Sequence, residues 1–478
     1  MNLKDVFKPL DEANFNIYHF RSLLITTLGM FTISYNTTFV SIELKQLSHI
    51  FHATGILFIL LGTASFWTAI AGALLFGFIS NFKGRRAVYG FECLFLAIGS
   101  LLGAFTTNAI ELIITQMIFG IGIGGDFVLS PIVLGEFSEV RDRGKLLAFS
   151  VGVTGPLGSI ASAGTILLLN ALNVPSNISW RIVLALGAII PGSVVYLRRK
   201  VPESPRYLAR IKGDVKGLEN VIKTVTKKDV TINANLMDKT PVLFYMIKYA
   251  WAIFIAGFLW FLDHMVNPGG VFELALVAYP LGIKNLALFS LLITLLASIP
   301  GGIVNLLLID RWGRKPLEAI GFIGMGAALI LFFVLKITVL KSPVGLVPLI
   351  AALILAGYHF FHNVGPANVS AAGIFNVELV PTKIRGIASG IVVAIDRTGA
   401  LANSAIFPFL VSNFGLGLAV GIGGFLGVLA AIITLFIVPE TKGKSLEEAS
   451  KEEEVAKLAE SLSSQSSNQK GSSDEINE

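Results

Sequence analysis

Charge and cysteine are both scarce in this chain. Only 14% of its 478 residues are charged, against about 25% in typical soluble domains, so an ordinary water-soluble domain is excluded. The single cysteine, Cys93, cannot form a disulfide within the chain. The sequence also has no nucleotide-binding loop, no nucleophile motif and no convincing set of metal ligands, which argues against an enzyme. We therefore expect no catalytic residues, no cofactor and no metal site.

Long apolar runs are what the chain has in abundance. Hydrophobic residues make up 54% of it, and a membrane-spanning helix needs about 20 consecutive apolar residues. The runs are continuous, whereas a membrane β-barrel has short alternating segments, so we expect an all-α membrane protein. The sequence predicts twelve transmembrane helices, here called spans 1 to 12, at residues 21–42, 57–80, 87–107, 110–135, 146–171, 180–198, 243–266, 284–309, 317–337, 345–374, 387–412 and 415–438.

Three short motifs occur twice in the same order. The copies follow at nearly equal offsets of 229 (313 − 84), 242 (385 − 143) and 237 (439 − 202) residues. Such a repeat indicates an internal duplication, so the twelve helices should form two pseudo-symmetric bundles of six. The motifs and their copies are Lys83-Gly84-Arg85-Arg86 with Trp312-Gly313-Arg314-Lys315, Glu136…Arg143 with Glu378…Arg385, and Pro202-Glu203-Ser204 with Pro439-Glu440-Thr441.

The duplication also predicts the domain organisation. We expect the linker to contain short helices. Ser445 and Glu448 fit a capping box at the start of a helix in the tail, and the polar chain beyond Ser461 should be disordered. The predicted units are an N-terminal bundle at 1–198, a linker at 199–242, a C-terminal bundle at 243–439 and a tail at 440–478.

Basic residues are concentrated in the connections that follow even-numbered spans. The positive-inside rule places these connections and both termini in the cytoplasm. The net charge of +6 does not indicate a nucleic-acid partner, because the basic residues lie in separate short turns. We expect a monomeric, multi-pass protein of the cell membrane whose partners are the lipid bilayer, a small solute and protons.

The repeated turns resemble the cytoplasmic turns of the major facilitator superfamily. The family pattern is G-x-x-x-D-R-x-G-R-R, and Gly77–Arg86 fits it except that Asn81 replaces the acid and Phe82 the base. The resemblance implies the major facilitator fold and a cytoplasmic gate, with the repeated glutamates and arginines as matching partners in each half. The expected gate residues are Asn81, Arg85, Arg86, Glu136, Arg143, Asp310, Arg314, Glu378 and Arg385.

A narrower resemblance is to the phosphate:proton symporter branch. Gly120–Ser130 reads G-I-G-I-G-G-D-F-V-L-S, where that branch has G-I-G-I-G-G-D-Y-P-L-S. The two acids of the branch in span 1 are absent, which leaves phosphate itself unsupported. Pro202–Arg206 and Pro439–Gly443 are shared with sugar porters. The substrate-binding residues that this resemblance implies are Tyr35, Asn36, Asp126, Phe127, Thr154, Trp260, Asp263, Asn368 and Arg397.

Buried charges give a second set of candidates, because a charge at bilayer depth is costly and marks a functional site by default. In this superfamily spans 1, 4, 7 and 10 line a central cavity. The resemblance therefore implies that a set of polar residues on these spans converges there, namely Tyr35, Asn36, Asp126, Asp263, His359 and His362. Structural alternatives remain open: an arginine partner for Glu92, ring packing for the histidines, and an Asp396–Arg397 pair. The candidates for proton coupling are Asp126, Glu92, Asp263, His359 and His362.

Together these features predict a proton-coupled secondary transporter that works by alternating access. The solute is expected to be small and polar, with an anion such as phosphate or an organic acid favoured by Arg397. The alternatives are a sugar porter, or an uncoupled facilitator or nutrient sensor of the same fold.

Overall fold

The computed structural model describes residues 3–233, 236–338 and 344–462, and the regular elements within these residues are all helices. Twelve of them are long and apolar enough to cross a membrane, so the predicted fold class is confirmed. The observed spans are Ile17–Ile50, Ile56–Lys83, Arg85–Gly103, Ala109–Phe137, Arg143–Ala171, Ser176–Arg199, Ala250–Leu281, Leu286–Trp312, Arg314–Ile337, Val347–Asn368, Arg385–Phe414 and Leu416–Ile437.

The outer surface of the bundle carries large apolar side chains. Trp67, Phe78, Trp251 and Phe436 are each more than half exposed. A water-soluble monomer rarely leaves so much apolar surface uncovered, whereas a bilayer covers it. The chain is therefore an integral membrane protein.

Short helices lie outside the spans. The linker contains short helices, as expected, and the capping box at Ser445 and Glu448 is confirmed by reciprocal hydrogen bonds of 3.2 and 3.1 Å. The predicted disorder beyond Ser461 concerns a segment that, from residue 463, lies outside the described residues. These helices are Leu3–Asp11, Pro205–Tyr207, Leu208–Lys212, Val215–Thr226, Val242–Lys248, Ile374–Glu378 and Leu446–Ala449.

Span 7 is interrupted where the sequence predicted its end. Its regular helix stops at Val266, and a short irregular helical segment then continues from Gly270 to Leu281. The break follows from Pro268, which lacks a backbone donor, and from Gly269, whose φ of +96° suits glycine. The regular helix ends at the predicted residue 266, but the sequence did not predict that the span continues to Leu281, and this extra segment contributes Glu273 to the interior.

Span 10 also differs from its prediction. The continuous helix predicted over 345–374 ends at Val364, and the chain turns at Gly365. A Cβ on Gly365 would lie 2.6 Å from the Cα of Gly321 in span 9, so the backbones of the two spans touch there. Pro366 cannot continue the hydrogen-bond ladder, and this explains the break.

The end of the bundle with the turns Lys83–Arg86 and Trp312–Lys315 is here called the basic end. Spans 2 and 11 cross there through glycines: a Cβ on Gly77 would lie 2.7 Å from the carbonyl oxygen of Gly386. Small residues permit such close helix approach in membranes. The two halves are therefore in backbone contact at this end.

Candidate functional site

A cavity of about 330 Å³ lies between the two halves. Side chains of spans 1, 2, 4 and 5 line it from the N-terminal half, and spans 7, 10 and 11 line it from the C-terminal half. Span 1 contributes hydroxyl groups to its lining, from Ser34, Thr37, Thr38 and Ser41. The polar residues that line it from the C-terminal half are Asp263, His264, Asn267, His362, Arg397, Asn403 and Ser404.

The cavity is covered on the side away from the basic end. There the irregular part of span 7 lies against spans 1 and 2. Ser41 Oγ donates a hydrogen bond of 2.9 Å to the carbonyl oxygen of Val271. The rings of Phe58 and Phe272 stack with centroids 5.6 Å apart. The halves thus contact each other at both ends of the cavity.

Three histidine–carboxylate pairs surround the interior. Each pair joins span 7 to another span, so it fixes the orientation of the imidazole ring. The pairs are His264 Nε2 with Asp396 Oδ1 at 2.8 Å, His359 Nε2 with Glu273 Oε1 at 3.0 Å, and His362 Nε2 with Asp263 Oδ1 at 3.2 Å.

Arg397 presents its guanidinium to the same cavity. Its Nε lies 2.9 Å from Asp396 Oδ2, as an ion contact rather than an aligned hydrogen bond. Its guanidinium carbon lies 4.4 Å from the centre of the Phe127 ring, and Phe127 meets Trp260 edge to face. Among the described residues we find no hydrogen-bond partner for its terminal nitrogens, which leaves a planar fork of donors toward the cavity.

The prediction that the candidate residues converge on the cavity is correct for only some of them. Phe127, Trp260, Asp263 and Arg397 line the cavity with His362, and His359 lines an adjoining one. Four other predicted substrate residues point elsewhere. Tyr35 donates to the carbonyl of Val183, Asn36 to Ser100, Thr154 to the backbone of its own helix, and Asn368 to the carbonyl of Asn363.

Asp126 also lies outside the cavity lining. It forms a fully enclosed cluster with Glu92 and Arg198, in which Arg198 Nη1 contacts Asp126 and donates a hydrogen bond of 2.7 Å to Glu92. Glu92 additionally accepts from the backbone amide of Gly90. Asp126 therefore faces spans 3 and 6, and the prediction that it lines the substrate cavity was wrong.

Glu92, Cys93 and Asp126 form the one group of three potential metal ligands among the described residues. The guanidinium of Arg198 contacts both carboxylates. The position that a cation would take is thus already filled by a side-chain charge, and the group does not fit a metal.

Sequence reasoning missed the charged groups Arg198 and Glu273. Arg198 begins the run Arg198-Arg199-Lys200 and ends an apolar stretch, so it looked like an ordinary basic flank. Glu273 lay in a predicted loop because the break in span 7 was taken as its end. The surplus of carboxylates over arginines inside the spans was the available signal that further basic partners existed.

The predicted gate residues do meet at the basic end, and the pairing crosses the halves. Glu136 Oε1 accepts a hydrogen bond of 3.1 Å from Arg85 in its own half and one of 2.6 Å from Arg385 in the other. The repeated motifs predict partners within each half. The close partner of Glu136 is instead Arg385.

The second copy repeats this arrangement with a looser crossing contact. Glu378 accepts hydrogen bonds of 3.2 and 3.0 Å from Arg314 in its own half. The nitrogen of Arg143 from the other half lies 3.8 Å from Glu378. The paired charges are therefore pseudo-symmetric, with the tighter crossing pair at Glu136.

Asn81 and Asp310 occupy equivalent places beside these pairs. Asn81 accepts from the amide of Gly386 at 3.2 Å, and Asp310 accepts from the amide of Lys145 at 2.9 Å. The uncharged Asn81 thus still links the halves. Arg86 is the exception, since its side chain is exposed and lies outside the gate.

The repeated Pro-Glu motifs cap the repeated turns. Glu203 Oε1 accepts from the backbone amide of Arg85 at 2.9 Å, and Glu440 Oε1 accepts from that of Arg314 at 3.1 Å. A carboxylate at a helix start satisfies free amides and interacts favourably with the helix dipole. This contact explains why the motifs are repeated together.

Three segments that are far apart in the sequence meet at Arg206, outside the spans. Arg206 of the linker pairs with Asp11 of the first helix and with Glu447 of the tail, each at 2.8 Å; we call this trio the clasp. Burial raises the pKa of Asp11 above its ordinary value, although Arg206 opposes the shift. Burial acts in the same direction on Glu447, but Arg206 outweighs it and the pKa of Glu447 is lowered.

Two six-helix halves around a closed polar cavity, with paired charges at one end, define a membrane transporter of the major facilitator fold. The proton:xylose symporter XylE, crystallised with 6-bromo-6-deoxy-D-glucose, has this fold, with a TM-score of 0.73 and 24% sequence identity over 90% of this chain and 98% of that one. Residues 23–452 match the family Sugar (and other) transporter, and the chain belongs to it.

Relatives from three kingdoms match almost the full chain. A probable inorganic phosphate transporter 1-6 of Arabidopsis thaliana is 27% identical over 96% of this chain and 98% of its own length. The putative metabolite transport protein YaaU of Escherichia coli is 27% identical over 93% and 97%. A repressible high-affinity phosphate permease of Neurospora crassa is 28% identical over 93% and 88%. The protein is thus a transporter and not an enzyme.

Proposed function

We propose that this transporter is a proton-coupled symporter of a small anion. The observation that carries the proposal is the free guanidinium fork of Arg397, which faces a closed cavity among histidine–carboxylate pairs. An arginine fork matches the oxygens of a carboxylate or phosphate with paired hydrogen bonds. The names of the Arabidopsis and Neurospora relatives, which are phosphate transporters, agree with an anion.

Protonation of the three histidines would change the sign of the net charge around the interior. With neutral histidines, the three histidine–carboxylate pairs and Arg397 together carry three carboxylates and one guanidinium, which sum to −2; with all three histidines protonated the sum is +1. Histidine commonly titrates near neutral pH. An anion is therefore repelled before protonation and attracted after it, so proton and anion binding are reciprocally linked.

The contacts at the two ends of the cavity supply the gates for alternating access. Rocking of one bundle against the other would break the crossing pairs at the basic end, or the contact of Ser41 with span 7, but not both together. The closed state described here would then lie between the two open states.

Uptake into proteoliposomes tests the proposal. We expect labelled phosphate or a labelled carboxylate to accumulate at least about tenfold more with an inward proton gradient, and a protonophore should abolish the difference, because the gradient supplies the driving force. Equal uptake with and without the gradient would indicate an uncoupled facilitator. Accumulation of neutral glucose but of no anion would indicate a sugar porter.

We propose that Asp126 binds and releases the transported proton, with help from Glu92. Their cluster holds two carboxylates and one guanidinium, so one proton is needed for neutrality in this enclosed place. We predict that Asp126→Asn, which makes the cluster neutral without a proton, abolishes gradient-driven accumulation and retains exchange of internal for external anion. Undiminished accumulation would contradict this role. Thr398→Val, an exposed hydroxyl change in span 11, is the control.

We further propose that the basic end and both termini face the cytoplasm of a cell-membrane protein. Lys227 and Lys228 of the linker are exposed at this end, and Lys284 is exposed in the connection between spans 7 and 8. Trypsin added outside intact cells should therefore spare the linker, and in inverted vesicles it should cut there. Linker cleavage in sealed, intact cells would reverse the orientation.

A further inference from the structure

A second cavity of about 250 Å³ adjoins the first. The two share lining residues from spans 1, 5 and 10, among them Ser34, Thr38 and His362, so they form two parts of one interior. Cavities of about 300–1,000 Å³ hold organic ligands. The interior is thus larger than the five heavy atoms of a phosphate ion require.

Hydroxyl groups dominate the polar lining of the second cavity. Ser290, Thr294 and Ser298 of span 8 are spaced four residues apart, which places them on one helix face. Their hydroxyls form no hydrogen bond with another described residue, although a helical serine or threonine often bonds to its own backbone. The hydroxyl of Ser34 in span 1 likewise forms no hydrogen bond with another described residue.

Each part of the interior suits a different part of a solute. The first offers the guanidinium of Arg397 to an anionic group. The second offers free hydroxyls and the His359–Glu273 pair, which together provide donors and acceptors for alcohol groups. A simple anion would leave these hydroxyls unused, and a neutral sugar would leave the terminal nitrogens of the guanidinium without an anionic acceptor.

We infer that the solute is a polyhydroxylated organic anion, that is, a sugar acid such as an aldonate or a uronate. This inference rests on the proposed anion transport and specifies its substrate class. The carboxylate binds Arg397, and the hydroxylated carbon chain extends into the second cavity against span 8. Such a solute contacts the polar lining of both cavities at once.

Equilibrium binding to the purified full-length protein tests the inference with four probes: D-gluconate, L-lactate, inorganic phosphate and D-glucose. We expect gluconate to bind at least about tenfold more tightly than the other three. Thr294→Val keeps the shape of the side chain and removes its hydroxyl, so it should raise the Kd for gluconate about threefold to tenfold and change that for lactate less than twofold.

Ser290→Ala should act in the same way and serves if Thr294→Val folds poorly. Thr398→Val is the matched control, because its hydroxyl bonds to its own helix on the exposed face of span 11. Phosphate bound more tightly than gluconate, with no effect of the span 8 variants, would overturn the sugar acid and leave anion transport intact. Glucose bound as tightly as gluconate, with no effect of Arg397→Gln, would overturn both proposals.

Discussion

Replacement of Arg397 by glutamine is expected to abolish anion binding at the concentrations that saturate the native protein. An arginine stays protonated in proteins, so Arg397 gives the first cavity a permanent positive charge. Loss of a buried, hydrogen-bonded charge partner costs about 2–5 kcal/mol, which is roughly 30-fold to several-thousandfold in Kd. Arg397→Lys keeps the charge without the planar fork, so its Kd should rise less.

The contact between Arg397 and Asp396 requires a second variant as a control. If Arg397 served only to neutralise Asp396, the double variant Arg397→Gln with Asp396→Asn would recover anion binding, because no uncompensated carboxylate would remain. We expect no recovery. Equilibrium binding of a labelled anion to both variants, with their Tm values measured alongside, decides between the two roles.

Replacement of Glu136 by glutamine is expected to open the basic end. Glu136 is fully buried and is the shared partner of Arg85 and Arg385, which are buried too. Breaking a buried ion pair by removing one charge costs about 3–5 kcal/mol, and most of this cost falls on the closed state because Arg385 belongs to the other half. The equilibrium between closed and open states should therefore shift by more than about 100-fold.

Spin labels at Lys83→Cys and Arg311→Cys, in a Cys93→Ala background, would report the distance between the halves at this end. Glu378→Gln is the matched control, because its crossing contact to Arg143 is 3.8 Å and not 2.6 Å. We expect the Glu136 variant to lengthen the distance more than the Glu378 variant does. Equal distances in the native protein and in Glu136→Gln would show that the crossing pair does not hold the gate.

Hydropathy was sufficient to predict the twelve spans, whereas the predicted gate residues came from the resemblance of the repeated turns to the major facilitator superfamily. These residues could be named because they belong to short motifs at the ends of spans, which a sequence pattern captures. Their partners were harder to assign, since a repeat fixes which residues are equivalent but not which half supplies the opposite charge. Arg385 is the example, because it pairs with Glu136 of the other half.

The candidate site was predicted less completely, because hydropathy gives the depth of a residue and not the rotation of its helix. Span 1 illustrates this: Tyr35 and Asn36 face spans 6 and 3, whereas Ser34, Thr37 and Thr38 face the cavity. A rotation of about 100° per residue separates the two faces. The same limit explains Asp126, whose partner Arg198 comes from a helix that the sequence could not place beside it.

The clasp has a consequence for the order in which the protein matures. Asp11 leaves the ribosome long before Glu447, because 436 residues (447 − 11) separate them. The N-terminal half can fold during synthesis, but the buried charge of Arg206 lacks one of its two carboxylates until the tail arrives. The clasp is therefore completed only after the tail has been synthesised, and a nascent chain that stops before Glu447 would expose a buried arginine that lacks one of its carboxylate partners.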